Sequence, residues 1–514
     1  MKIVEIRYNR DMLFNSLHFL LFFPIFCWLY FSVSQKHQWK ILVAGGYYFY
    51  GNFSPFFAII LFVITCNDFI AGKMIEKSIE IAKKKKWLFL SMAGNLGILF
   101  TFKYLDFADN NIREILSIFH IPWFVPEPYF NHWIVPVGVS FLTFQSLSYT
   151  IDVYKGITKA EQHFGYFSAF TAFWPVMVNG PIERAKNLLP QIKEAHRFDY
   201  DRMRLGLFRM AWGLFKKVVI ADRLAFYVDD MYLHYNDISG WTTIVGGFFF
   251  FMQVYCDFSG YSDIAIGAAK VIGIDVMENF KRPLFAKNLA DIWTRWHISL
   301  STWLTDYVFF YLGAYKASGR KVIFNVIFVL AICGLWHGAN WPMVLAFTMV
   351  GVFMAIRYWW QSNVLRVIKP SNSYKLFEKY FPDWLHSVVT VGLFVFCFLL
   401  FRVHTAQAYI NHAHPTEPVA WITIAKAIYA NLFKLHTAGY FHAWMIHQGI
   451  VQFVIVVFFM IGLILTEAKI GDNKIETVVL SNDTPQRWLV YLVLVISIVW
   501  FGIFNNTSFV YFQY

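Results

Sequence analysis

Charge is scarce in this chain: of 514 residues only 15% are Asp, Glu, Lys or Arg, against 58% apolar and 20% aromatic. That balance excludes a soluble globular protein, which could not hide so much apolar surface in one core, and leaves the bilayer as the solvent. Cysteine is scarce as well. Cys27, Cys66, Cys256, Cys333 and Cys397 all lie in apolar stretches, are odd in number and have no ligand spacing, so they read as small core residues. A disulfide framework and a metal site are both excluded. The chain also lacks a long polar, Pro/Ser-rich linker and any internal repeat, which makes one polytopic membrane domain over 1–514 the simplest organisation. Finally, no small-residue cleavage site follows the first apolar run, which Lys2, Arg7 and Arg10 precede. That run is expected to be an uncleaved first span.

What the chain has instead is a series of weakly charged windows, at 13–33, 55–72, 87–105, 133–151, 164–180, 242–272, 321–340, 342–360, 385–402, 446–466 and 488–504. Each suits a helix crossing a ~30 Å hydrocarbon layer, so the expected fold class is all-α integral membrane with about eleven spans. The net charge of +12 sits in short basic segments between windows: Lys73, Lys77 and Lys83 to Lys86, then Arg184 to Arg204, then Arg366 to Lys379. Positive-inside bias places all three in the cytoplasm, facing anionic lipid. Membrane lipid is therefore the partner implied by the charge, and nucleic acid is excluded.

Polar side chains inside such windows are costly unless they find partners, so they are functional candidates by default. Gln253, Asp257, Ser259, Tyr261, Ser262 and Asp263 interrupt one apolar run. Gln253 and Asp257 share a helical face, Gly260 is placed to break the helix, and a purely structural hydrogen-bond cluster is the alternative reading. A second cluster runs from Asn279 to Phe309, with Trp293, Trp296, Trp303 and Tyr307 among Lys281, Arg282, Lys287 and Arg295. Rings and cations together mark headgroup depth, and they also suit the phosphates and adenine of an acyl-CoA. Here His297 and Ser301 are one helical turn apart. The third cluster is CGLWHGANW, Cys333 to Trp341. Apart from the Cys333 thiol, His337 is the only ionisable side chain between Val322 and Met354. Gly334 and Gly338 beside it permit close backbone approach. A buried neutral imidazole can accept a proton, so His337 reads equally as a general base or as a structural residue.

Eight ordered blocks carry a resemblance along nearly the whole chain: MLFNSLHFLLFFPI, NLGILFTFKYLDF, PVGVSFLTFQSLSYTIDVYKG, WPVMVNGPIERAKNLLPQI, GLFKKVVIADRLA, YCDFSGYSDIAIG, NFKRPLFAKNLADIWTRWHISLSTWLTDYV and GLWHGANW. In these blocks the sequence resembles the membrane-bound O-acyltransferases, in the bacterial branch of alginate and peptidoglycan O-acetyltransferase membrane subunits. The resemblance implies a ring of tilted helices, with re-entrant and interfacial helices, around a central funnel reached from both faces of the bacterial cytoplasmic (inner) membrane. It implies His337 as the catalytic histidine and His297 as the second polar residue of the centre. Asp291, Arg295, Trp296 and Ser301 beside His297, Trp336 and Asn340 beside His337, and Asp257 and Gln253 are the expected supporting or donor-binding residues. The ending FGIFNNTSFVYFQY, 501–514, resembles the branch's aromatic C-terminal motif, in which Tyr511 matches the tyrosine proposed to relay the acyl group. Residues 1 to 11 precede the family's usual start.

The activity so implied moves an acetyl group from a cytoplasmic donor, acetyl-CoA, across the membrane for O-acetylation of an exported polysaccharide such as peptidoglycan or alginate. No tightly bound cofactor is implied. The partner implied is an extracytoplasmic esterase-like (SGNH) acetyltransferase, which this chain does not contain. D-alanyl transfer to an envelope polymer is the alternative within the family, and a transporter with an intramembrane polar pathway is the alternative outside it.

Overall fold

The computed structural model describes residues 12–123, 135–314, 319–365, 382–413, 417–435, 441, 444, 445, 449–481 and 483–504. The N-terminal extension, the third basic segment, and Phe509, Tyr511, Phe512 and Tyr514 of the aromatic ending lie outside the described residues. Among the described residues every regular element is helical, as expected. The chain groups into two compact units, Met1–Met210 with Ser262–Met277, and Ala211–Tyr261 with Glu278–Tyr514.

The first unit contains α1 (Leu17–Ser32), α2 (Gln38–Gly51), α3 (Pro55–Lys77), α4 (Ile81–Leu99), α5 (Leu105–Ile118), α6 (Val139–Lys155), α7 (Phe164–Thr171), α8 (Trp174–Met177) and α9 (Ala185–Lys193), and then most of α10 (Tyr200–Phe215). Local chemistry sets the starts: the Ser16 hydroxyl accepts from Phe19 N–H at 3.2 Å, and Ser54 caps α3 with Pro55 in its first turn. Helices α3, α4 and α6 meet around the buried Asp68, whose carboxylate takes hydrogen bonds from Ser91 (2.6 Å), Asn95 (2.8 Å), Asn67 (3.0 Å) and Ser146. These neutral donors satisfy a carboxylate that the membrane interior would otherwise not tolerate.

The second unit holds a π-helical turn, Lys216–Ala221, followed by α11 (Asp222–Leu233), α12 (Gly240–Val271, up to Tyr261), α13 (Leu289–Arg295), α14 (Ile298–Leu304), α15 (Gly319–His337), α16 (Trp341–Trp360), α17 (Asp383–Phe398), α18 (Val403–Ala413), α19 (Trp421–Asn431), α20 (Ile450–Ile470), α21 (Ile475–Leu480) and α22 (Thr484–Phe501). Helices α15 and α16 form a hairpin. Gly334 makes it possible: a Cβ there would lie 2.6 Å from the Met343 carbonyl oxygen and 2.9 Å from Val344 Cα. Gly334→Ala is accordingly expected to force the hairpin apart and lower the detergent melting temperature, by about 1–3 kcal/mol of overpacking; Gly319→Ala, with nothing near its Cβ position, is the control.

Seven helices among the described residues are long and apolar enough to cross a membrane, and they coincide with seven of the eleven windows. Their outward side chains, such as Phe62, Phe324, Phe458 and Trp500, are exposed apolar surface, as lipid requires and water would punish. Among the described residues the count of about eleven is not reached. The window 164–180 forms two short helices instead, because Pro175 starts a new helix at Trp174. The window 133–151 yields the 17-residue α6, buried from Val139 to Val153, and the first window yields the 16-residue α1. Gly260 does not break its helix, which runs on to Val271. A glycine is needed there for a different reason: a Cβ would lie 2.7 Å from the Gly213 carbonyl oxygen.

Candidate functional site

His337 is the last residue of α15 and His297 is the residue before α14. The second unit brings them together, with ring centroids 6.0 Å apart and planes at 71°. Both are buried, His337 at 4% and His297 at 2% exposure. His337 stacks on Phe347 (4.7 Å, 10°) and meets Trp336 (5.0 Å) and Phe401 (6.0 Å) edge-on. His297 lies 4.6 Å from Phe258 and 5.9 Å from Trp336. The indole of Trp336 thus flanks both imidazoles.

His297 adopts a left-handed backbone, φ 46° and ψ 54°, which costs a non-glycine residue roughly 1–3 kcal/mol and persists only where the surroundings enforce it. Asn279 enforces it. Its carbonyl accepts from Ile298 N–H at 2.9 Å, and its side-chain oxygen accepts from Ser299 N–H (3.3 Å) and the Ser299 hydroxyl (2.9 Å). The asparagine therefore caps α14 from outside the helix, a task His297 itself does not perform. His297 lies outside the long apolar helices, and burial lowers its affinity for a proton, so it stands there as a neutral imidazole.

The other expected residues divide. Trp336 belongs to the pair's wall, and Trp296 stacks on Phe251 (5.5 Å) and contacts Phe280 and Phe398, extending the aromatic layer behind His297. Asp291 and Arg295 pair with each other at 2.7 Å instead of meeting His297, and Arg295 also approaches Asp472 at 3.8 Å. With Arg282, 3.5 Å from Asp472, they form a partly exposed charged rim. Ser301 N–H donates to the His297 carbonyl, but its hydroxyl donates to Ile298 O at 3.1 Å, so it supports the helix turn. Asn340 caps α16, accepting from Met343 N–H at 3.0 Å. Gln253 is buried at 1% exposure, and its side-chain oxygen has no hydrogen-bond partner among the described residues. Tyr511 lies outside the described residues.

Asp257 is held in a buried ion pair. Lys217 binds it at 2.7 Å and binds Asp222 at 2.8 Å, all three side chains being at most 5% exposed. Lys216, the neighbouring residue, donates to Ser259 at 2.8 Å. Adjacent lysines on a regular helix point about 100° apart; the π-helical turn at 216–221 widens the helix locally so that both reach α12. Lys217, Asp222, Asn279, Phe258, Phe347 and Phe401 were not singled out by the sequence reading, although GLFKKVVIADRLA holds the first two in plain view.

The family model for membrane-bound O-acyltransferases matches residues 159–369, which include both histidines. A probable alginate O-acetylase of Pseudomonas aeruginosa is 34% identical over 400 residues, 77% of this chain and 73% of that protein. A peptidoglycan O-acetyltransferase of Helicobacter pylori is 32% identical over 349 residues, 62% of this chain and 63% of that one. A teichoic acid D-alanyltransferase of Bacillus subtilis is 30% identical over 226 residues, covering 41% of this chain and 57% of that protein.

Proposed function

We propose, because this chain belongs to the membrane-bound O-acyltransferase family, that it passes an acetyl group through a bacterial cytoplasmic membrane for O-acetylation of an exported polysaccharide. The single observation that carries this reading is the pair of buried histidines 6.0 Å apart in a wall of aromatic rings. The physical logic is economy of transfer: acetyl-CoA is charged and cytoplasmic, the acceptor hydroxyl is outside, and only the small neutral acetyl group has to cross.

In this reading acetyl-CoA docks at the charged rim through Arg282 and Arg295. His337 accepts the phenol proton of Tyr511 as the phenolate oxygen attacks the thioester carbonyl carbon. The C–S bond breaks, the thiolate leaves and is protonated, and an acetyl ester remains on Tyr511. Forming phenolate unaided at pH 7 costs roughly 4 kcal/mol, the obstacle a histidine base removes. A hydroxyl of an extracytoplasmic esterase-like (SGNH) partner then attacks the ester, restores the phenol and carries the acetyl group to the sugar.

The test is chemical analysis of the envelope. Ester-linked acetate in isolated wall and capsule fractions should vanish from one polymer when the chain is deleted and return with the intact gene; unchanged acetate in every fraction would overturn the reading, and loss of ester-linked D-alanine would reassign the acyl group. Tyr511→Phe removes one oxygen and keeps the ring. It is expected to abolish acetylation while the chain still co-purifies with its partner, and full acetylation by this variant would remove Tyr511 from the mechanism.

A further inference from the structure

The end of α22 is tied to the π-helical turn and to the start of α11, in the same unit, by two hydrogen bonds that neither the histidine pair nor the charged rim uses. Ile503 N–H donates to the Val218 carbonyl at 2.9 Å, and the Arg223 guanidinium donates to the Phe501 carbonyl at 2.6 Å. The bonding of the π turn skips to the fifth residue, with Asp222 N–H donating to Lys217 O, and Arg223 follows as the second residue of α11. Arg223 is 7% exposed, and a guanidinium in such a place makes a charge-assisted bond stronger than a neutral one.

The same turn is fastened to the catalytic neighbourhood on its other side. Lys217, next to Val218, holds Asp257 at 2.7 Å, and the residue after Asp257 is Phe258, which contacts His297 at 4.6 Å. A short series of contacts therefore joins the point where the C-terminal segment is caught to the histidine pair. From Ile503 the chain reaches Tyr511 with at most about 26–29 Å of extended backbone.

We propose that Arg223 and the Val218 carbonyl form a clamp that fixes residues 501–503 and thereby sets where the C-terminal aromatic segment starts, making Arg223 a positioning residue for acyl transfer through Tyr511. The proposal rests on the relay reading above. Its test uses membranes containing the full chain with its partner and polymer, with the rate of ester-linked acetate formation followed across acetyl-CoA concentrations. Arg223→Met is expected to lower kcat at least tenfold with KM for acetyl-CoA unchanged, and Arg223→Lys, which keeps a cationic donor, to recover part of the loss. Ile503→Pro removes the other bond of the clamp without touching the buried arginine and should give the same split; it stands as the informative variant if Arg223→Met does not accumulate. Wild-type kcat in Ile503→Pro overturns the clamp. Full activity of Tyr511→Phe overturns the relay beneath it, whereas an inactive Tyr511→Phe beside a fully active Ile503→Pro overturns the clamp alone.

Discussion

Replacing His337 with alanine is expected to lower polymer O-acetylation by about 10²–10⁴-fold, the range a positioned general base supplies, with the chain present in the membrane at wild-type abundance. The geometry explains why the loss should be kinetic. His337 sits at the end of α15 with its ring stacked on Phe347, and the hairpin beneath it is held by the Gly334 approach to the Met343 backbone, which the substitution leaves intact. Ester-linked acetate and membrane abundance are measured on the same cells. His337→Gln keeps a polar side chain of similar reach but cannot take a proton at neutral pH, so it should be as inactive as alanine; activity in the glutamine variant would mean that hydrogen bonding alone suffices. His297→Ala should cost less in rate than His337→Ala. Part of its effect should be on stability, because alanine leaves unfilled the space that the buried ring occupies against Phe258 and Trp336. Unaltered acetate in His337→Ala would end the base assignment.

His337 stood out in the sequence because an ionisable side chain in an apolar stretch has to justify its cost, whereas His297, in a segment rich in charge, stood out only through the family resemblance. Gly334 was legible on similar grounds, as a residue without a Cβ where two helices close on each other. The seven long apolar helices followed directly from window hydropathy. What holds these side chains was less legible: Asp257 is paired with Lys217, and Arg295 with Asp291. The partner of Asp257 is 40 residues away in the chain, a separation no local pattern reveals. Hydropathy is also blind to a π turn, which adds a residue without altering composition, and so Lys216 and Lys217 read as one basic dipeptide and not as two separate buried ties. Phe258, Phe347 and Phe401 were hidden by abundance: in a chain with 57 phenylalanines, nothing local distinguishes those that wall a site from those that face lipid.

Lys217→Met should destabilise the fold more than Gly334→Ala does, by about 3–5 kcal/mol, the usual consequence of removing one member of a buried ion pair. Lys217 is fully buried and lies within 2.8 Å of two carboxylates. Its loss leaves Asp222 and Asp257 facing each other's negative charge without the cation that offsets it. The expected observation is a lower melting temperature in detergent and reduced membrane abundance. Lys217→Met combined with Asp222→Asn and Asp257→Asn removes the stranded charges together with their partner, and should recover most of the stability, because a buried pair replaced as a whole is often nearly neutral. Lys287→Met supplies the contrast: its 2.6 Å pair with Asp383 is more than half exposed on both sides, and such pairs contribute about 0–1 kcal/mol. If Lys217→Met were as mild as Lys287→Met, the triad would not be what fixes the π turn to α12. The triple variant then separates stability from function. With the charges gone and the fold restored, acetylation near wild type would confine Asp257 to a structural role, whereas an inactive but stable protein would place the carboxylate in the reaction.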